Sequence, residues 1–402
     1  MASRNRIQPF LIGLLALALS SYAGVRLFCY FTHKTPPVFQ LTTVIEGGTY
    51  HKTLQATVVA DSSYKIGHVI IKCDETVITD EAVKSAAFDM PFTLDTKAFP
   101  DGQHNLSITA YDTSYHKNST TRNLTITVDN TPLHAAFADT DYVVYQGKTL
   151  HLRIASNKQT VGGTIQVAGR TYSFSPSAEG STTCECFIPI ECEAQPIEQM
   201  LTANVHDTAG NQLKLSCRLT IKTFDFVKQK GFTVPDEKVE MERQAGASMN
   251  VLEEALEKCV AQSPHRKLWS GPFLYPIDVE RLTTPFGEIR TNSIRGRYLH
   301  KGIDLVNRPK CVVWAAQPGN VIIKDRFFTT GNTVVLDHGL GIFTLYAHLE
   351  DFADLEVGKT MKKGDPLGRM GMTGYANGYH LHWELRINNI AVDPIEWVSK
   401  IY

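Results

Sequence analysis

Apolar residues along the chain fall into three patterns. The first is an unbroken run near the start, FLIGLLALALSSYAGV (Phe10 to Val25), behind Arg4 and Arg6; Arg26 follows, and LFCYF continues to Phe31. Spanning a bilayer takes about 20 apolar residues. Phe10 to Phe31 is therefore predicted to be a membrane-crossing helix, with Arg26 snorkelling to the far interface and the leading arginines inside. Alternatively, Ser21-Tyr22-Ala23 has the small-x-small form of a cleaved signal-peptide site. Both readings send the bulk of the chain out of the cytosol. Lys34-Thr35-Pro36-Pro37 then breaks the helix. The second pattern is alternation, in LQATVVA (Leu54 to Ala60), HVIIKC (His68 to Cys73) and HNLSITAYD (His104 to Asp112). Short alternating runs between turn signals predict β-sandwiches up to about Ile221. The third pattern is helical. In MNVLEEALEKCVAQ (Met249 to Gln262), Leu252, Leu256 and Cys259 or Val260 form one stripe, predicting a linker helix packed on the last domain. Ser248 could cap it, but Val251 stands where a capping box needs Glu or Gln.

An internal echo divides the β region. DGQHNLSITAYD (Asp101 to Asp112) is followed by RNLTITVDNTP; LTANVHDTAGN (Leu201 to Asn211) is followed by LKLSCRLTIK. Each reads as strand, Asp-centred turn, final strand, and resembles the last hairpin of bacterial Ig-like extracellular modules. The expectation is a mainly β chain: a signal-anchor segment at 1–35, Ig-like domains at 36–131 and 132–222, a helix-bearing linker at 223–272, and a C-terminal domain at 273–402.

The net charge of −1 offers no basic surface for nucleic acid. Eight cysteines are too few for a disulfide scaffold. Four of them, Cys184, Cys186, Cys192 and Cys217, crowd the second β region. A disulfide suits an exported chain, a Cys-x-Cys zinc site fits no common finger spacing, and free buried thiols are the third reading. Asn105, Asn118 and Asn123 lie in N-x-S/T sequons, which matter only in a glycosylating host.

The last 130 or so residues concentrate the chemistry. Glycines such as Gly319, Gly331, Gly339, Gly341, Gly364 and Gly374 punctuate apolar runs, as in an antiparallel sheet with tight turns. Within this frame stand HKGID (His300 to Asp304), YAHL (Tyr346 to Leu349) and NGYHLHWEL (Asn377 to Leu385). In a strand, His380 and His382 share a face. Paired imidazoles are costly in a core and suited to a cation. A catalytic zinc takes three protein ligands and keeps one open position. Four histidines and one aspartate exceed three places, and the surplus imidazoles could handle protons beside the metal. Spacing alone leaves open which of His380 and His382 is the ligand. His338, before Gly339, fits a structural turn.

The segment from about Phe273 to Trp397 resembles the lysostaphin-type, LytM-like peptidoglycan metallopeptidases. The motifs TPFGEIR (Thr284 to Arg290), HKGIDL, WAAQPGNVI (Trp314 to Ile322), GNTVVLDHGLGIFTLYAHL, VGKTMKKGDPLGRMGMTG and GYHLHWEL follow in that family's order. The resemblance implies a mostly antiparallel β fold with a duplicated hybrid motif. It implies one Zn2+ per chain on His300, Asp304 and His382, with His348 and His380 as catalytic histidines beside it. It implies a zinc endopeptidase acting on peptidoglycan peptide crosslinks, held to the membrane by the N-terminal helix, with room for a divisome or cell-envelope protein partner. The alternative is a non-catalytic module that activates another wall hydrolase. One departure is Arg308-Pro309-Lys310-Cys311-Val312, where many members carry Gly-x-Pro-Val; this loop supplies no ligand in the pattern.

Overall fold

The computed structural model describes residues 7–178, 180–229, 250–292 and 296–402. Arg4, Arg6, Ser248 and Met249 lie outside the described residues. The chain is mainly β and divides into two compact units, the first running to Pro132 and including Thr208–Asn211, the second formed by Leu133–Asp207 and Gln212–Tyr402.

The first unit begins with helix α1 (Ile7–Thr32). Its stretch Ile12–Thr32 has a mean hydropathy of 1.7 and no buried residue, so it is long and apolar enough to cross a membrane. Arg26 does not reach for the far end of the helix. It turns back one turn, donating to the Tyr22 hydroxyl at 2.9 Å with its cation over the ring. The last carbonyls of a helix lack partners within it. Here the loop after residue 112 supplies one, the Tyr115 N–H donating to the Tyr30 carbonyl at 3.0 Å.

The β part of this unit is a seven-stranded sheet whose four longest strands are β1 (Thr53–Cys73), β2 (Ser85–Asp95), β3 (Gly102–Asp112) and β4 (Ser119–Val128). The segments LQATVVA and HVIIKC, expected as separate strands, are one strand. β1 pairs with β2 from Thr53 to Asp61, shifts register through the polar stretch up to Ile66, and then pairs with β3 to Cys73. The hairpin expected from HNLSITAYD is β3–β4, paired from Gly102 opposite Val128 to Tyr111 opposite Ser119. The sequon residue Asn118 is engaged there, its amide donating to Asp112 at 2.8 Å.

In the second unit, β5 (Thr183–Pro189), β6 (Ile197–Asp207) and β7 (Gln212–Lys222) belong to an eight-stranded sheet. β6–β7 is the second echoed hairpin. β5 is buried on both faces. Cys184, Cys186 and Ile188 enter the core of this sheet, whereas Phe187, one step out of phase, enters the core of the C-terminal module beside Trp269 and Trp397. None of the four crowded cysteines is in a disulfide. Burial pushes the Cys217 thiol up to about 11, so it stays protonated and unreactive.

The C-terminal module is built on a ten-stranded sheet whose pairings are antiparallel. Its main path runs β8 (Arg281–Thr284), β9 (Ile303–Val306), β14 (Leu381–Ile387), β12 (Ile342–Phe352), β11 (Gly331–Asp337), β10 (Gly319–Phe327), with β13 (Pro366–Met370) also on β12. Helix α2 (Val251–Val260) buries Leu252 and Leu256 against Ile323, Val335, Phe343, Leu345 and Ala347, as the stripe predicted. Helix α3 (Pro394–Ser399) closes the core with Trp397.

His338 is structural. Its Nδ1 donates to the Pro318 carbonyl at 2.6 Å and its Nε2 accepts from the Thr344 hydroxyl at 2.7 Å. Burial pushes its pKa down from 6.5 to about 4, against the opposing pull of the Pro318 carbonyl. The unfolded chain takes the proton near pH 6.5 and the folded one only near pH 4. The stability from this residue is complete above about 6.5 and falls as pH drops towards 4, by about 1.4 kcal/mol per pH unit. The four tryptophans, Trp269, Trp314, Trp383 and Trp397, all lie in this module. Urea unfolding followed by their fluorescence should show a pH slope between 6.5 and 5 that is smaller by one proton in His338→Asn. An equal slope in both proteins would refute this account.

Candidate metal centre

The centre is assembled by one strand pairing. Asp304 on β9 lies directly opposite His382 on β14. Directly opposed side chains project to the same face. His300 joins them from just before β9, and Gly302 makes the approach possible. A Cβ at 302 would lie 2.4 Å from the Trp383 carbonyl oxygen, so any side chain would push this segment off β14.

Three atoms converge. His300 Nε2 is 3.0 Å from His382 Nδ1, His382 Nδ1 is 2.9 Å from Asp304 Oδ1, and His300 Nε2 is 3.1 Å from Asp304 Oδ1. The second nitrogen of each ring faces an acceptor: His300 Nδ1 the Pro285 carbonyl at 3.2 Å, and His382 Nε2 the Glu384 carboxylate at 2.8 Å. In a neutral ring those nitrogens carry the proton, and the other nitrogen turns a bare lone pair inward. Two lone pairs and a carboxylate oxygen at such distances repel unless a proton or a metal ion lies among them. Ligands bound tetrahedrally at about 2.0–2.2 Å stand roughly 3.3 Å apart, so the triangle fits a metal ion with slight expansion. All three residues are buried. Burial works to raise the Asp304 carboxyl, but hydrogen bonds with His300 and His382, which put protons where a metal ion would lie, hold it well below the usual carboxylate range. Burial likewise opposes a proton on His382, yet Asp304 and Glu384 raise it to about 9. The pocket demands positive charge.

His348 and His380 stand beside this triangle. Their rings are 4.7 Å apart, and His380 Nε2 is 3.8 Å from Asp304 Oδ1. His348 reaches the site through a bulge. Ala347 is the register partner of His382, so regular alternation would point His348 away. Instead β12 shifts register against β11 here and His348 takes φ 60°, the kind of irregularity that re-aims a side chain. The Nδ1 atoms of His348 and His380 sit 2.7 and 2.8 Å from the Thr373 and Gly378 carbonyls, leaving both Nε2 atoms bare. Burial first, then its histidine neighbours, push His348 down to about 3; burial lowers His380 too. Both imidazoles are neutral proton acceptors. The structure thus gathers His300, Asp304, His382, His348 and His380 at the base of one groove of about 610 Å³.

Three residues absent from the expected set also belong here. Glu384 and Arg386 continue the His380, His382 face with period two, a signal present in HLHWELR. Glu253 of α2 also lines the groove, and nothing local in sequence indicates that. A second cluster, Cys73, Asp74 and His104, is not comparable. Its histidine commits both nitrogens to acceptors, Asp74 at 2.7 Å and the Pro100 carbonyl at 2.8 Å, and so has no lone pair for a metal.

Residues 298–394 match the family model described as peptidase family M23. The C-terminal module is a peptidase family M23 domain. Over 120 residues the chain is 36% identical to the DD-carboxypeptidase/endopeptidase Mpg of Neisseria meningitidis, covering 30% of this chain and 27% of that one. It is 32% identical over 120 residues to the peptidoglycan DD-endopeptidase ShyC of Vibrio cholerae, covering 30% and 28%. The match thus spans little more than a quarter of these relatives. Among solved structures, the catalytic domain of lysostaphin from Staphylococcus simulans aligns over 30% of this chain and 92% of its own length, at 25% identity and TM-score 0.27.

The M23 domain's geometry makes Gly302 a sensitive position. Gly302→Ala should destabilise the domain by about 1–3 kcal/mol through overpacking. It should also weaken metal binding by separating Asp304 from His382. Unchanged urea midpoint and unchanged metal stoichiometry by elemental analysis would refute the role given to this glycine.

Proposed function

We propose that this chain is a membrane-anchored, extracytoplasmic zinc endopeptidase that hydrolyses peptide crosslinks in peptidoglycan. The observation that carries the reading is the convergence of three bare donor atoms beside two further neutral imidazoles in an open groove. The names of its M23 relatives supply the substrate class. On this reading His300, Asp304 and His382 hold one zinc ion. The metal supplies Lewis-acid polarisation of water and of the scissile carbonyl. His380, with Nδ1 fixed by the Gly378 carbonyl, takes a proton at Nε2 from the attacking water and returns it to the leaving amine. His348, fixed by the Thr373 carbonyl, presents its bare Nε2 as an acceptor to the other hydrogen of that water and orients it for attack. Helix α1 keeps the protein at the membrane, and the β units before the M23 domain, read as Ig-like, serve as a spacer towards the wall.

The test is a digest. The full chain in detergent is incubated with sacculi of D-alanyl–diaminopimelate and glycine-bridge types, with and without a chelator, and released fragments are identified by mass spectrometry. Chelator-sensitive release of cut crosslinks is expected. His380→Ala should lose about 10²–10⁴-fold in rate while retaining stoichiometric zinc. Zinc binding with no release by the wild-type chain would favour a wall-hydrolase activator instead, and full turnover by His380→Ala would remove that residue from the mechanism.

A further inference from the structure

Helix α2 precedes the residues that match the M23 family, yet its first turn reaches the metal centre. On one face of the sheet, His382, Glu384 and Arg386 of β14 stand opposite Ala347, Leu345 and Phe343 of β12. A polar strip and an apolar strip therefore run side by side. Leu252 and Leu256 pack on the apolar strip. That packing brings Glu253 against Arg386. The Glu253 carboxylate accepts from both guanidinium ends, Nη1 to Oε2 at 2.7 Å and Nη2 to Oε1 at 3.1 Å. Arg386 Nε donates to Glu384 Oε2 at 2.6 Å, and the other oxygen of Glu384 accepts from His382 Nε2 at 2.8 Å. Glu384 and Arg386 are only 3% and 2% exposed, so neither can turn to water for a substitute partner.

Without Glu253, Arg386 would keep its Nε bond to Glu384 and one Nη1 bond to the Asn389 side-chain oxygen at 2.9 Å. The Glu253 carboxylate adds a two-bond fork that also engages Nη2 and supplies the second negative charge, which locks the plane. A fixed guanidinium fixes the Glu384 carboxylate. That carboxylate decides which nitrogen of His382 carries the proton and leaves Nδ1 bare towards Asp304 and His300. We infer that Glu253 is a positioning residue of the metal centre, holding His382 in its metal-facing tautomer through Arg386 and Glu384. Helix α2 is then part of the site and not a detachable cover over the groove. The inference rests on the zinc reading above.

The experiment measures zinc affinity, by competition with a chromophoric chelator, and the melting temperature of the metal-free protein. It compares the full wild-type chain with Glu253→Gln, Glu253→Asp, Arg386→Lys and Glu254→Gln. Removing an outer partner of a metal-bound histidine typically weakens binding by about 10–100-fold, and that loss is expected for Glu253→Gln. Arg386→Lys should lose a similar factor because lysine keeps the charge without the fork. Glu253→Asp, which keeps the carboxylate, should recover part of the affinity. Glu254→Gln, the same change of charge at an exposed position of the same helix, should bind zinc as the wild type does. A merely structural role for Glu253 would lower the metal-free melting temperature and leave the affinity of the folded protein unchanged. That result overturns the inference, as does wild-type affinity in Glu253→Gln. A wild-type chain that folds but binds no zinc would instead overturn the zinc reading, and this inference with it.

Discussion

Asp304 and His382 face each other across two antiparallel strands, and the site depends on that register. β14 is an interior strand, held by β9 on one side and β12 on the other. Every one of its residues is buried. A slip of one residue would exchange its faces. His382, Glu384 and Arg386 would then enter a core of aliphatic and aromatic side chains, and Leu381, Trp383 and Leu385 would line the groove. The large penalty for burying unpaired charge makes the observed register strongly preferred. Gly302 then lets the preceding segment come close enough for His300 to complete the triangle.

Burying so many polar groups does not by itself stabilise the domain, because desolvation offsets most of the attraction between paired charges. What the network supplies is orientation. Each imidazole in the centre has one nitrogen assigned to an acceptor, by Pro285, Glu384, Thr373 or Gly378, so each has only one nitrogen left for chemistry. The amphipathic helix α2 matches both strips of the face beneath it, with leucines over the apolar strip and Glu253 over the polar one. A chain without α2 would expose Phe343, Leu345 and Val335, so α2 is part of the fold.

Much of this was legible from local pattern. The helical stripe of α2, both echoed hairpins and the shared face of His380 and His382 follow from periods of 3.6 and two. The remainder was hidden for identifiable reasons. β1 reads as two strands because a polar stretch interrupts its alternation at the register shift. The cysteines of β5 could not be assigned because a strand buried on both faces carries no amphipathic signal. Simple alternation places His348 wrongly, since it is brought to the site by a bulge with positive φ, and no residue type in YAHL announces one. Resemblance to a family located His348 where periodicity could not. Glu253 escaped both, lying outside the family match and far from the histidines in sequence.

That last case shows that the extent of sequence similarity and the extent of the physical domain differ. The M23 match covers 298–394, but the core of that domain also contains Phe187, Trp269 and Phe273. Lys148 pairs with Asp393 at 2.5 Å, and the Trp397 indole donates to Thr149 at 2.9 Å. The matched segment alone would leave its tryptophan cluster short of partners and its polar strip without Glu253. Residues from the preceding β unit and from α2 are therefore structural members of the peptidase module. The groove is a feature of more than the matched segment, since Glu253 of α2 lines it together with the four histidines and Asp304.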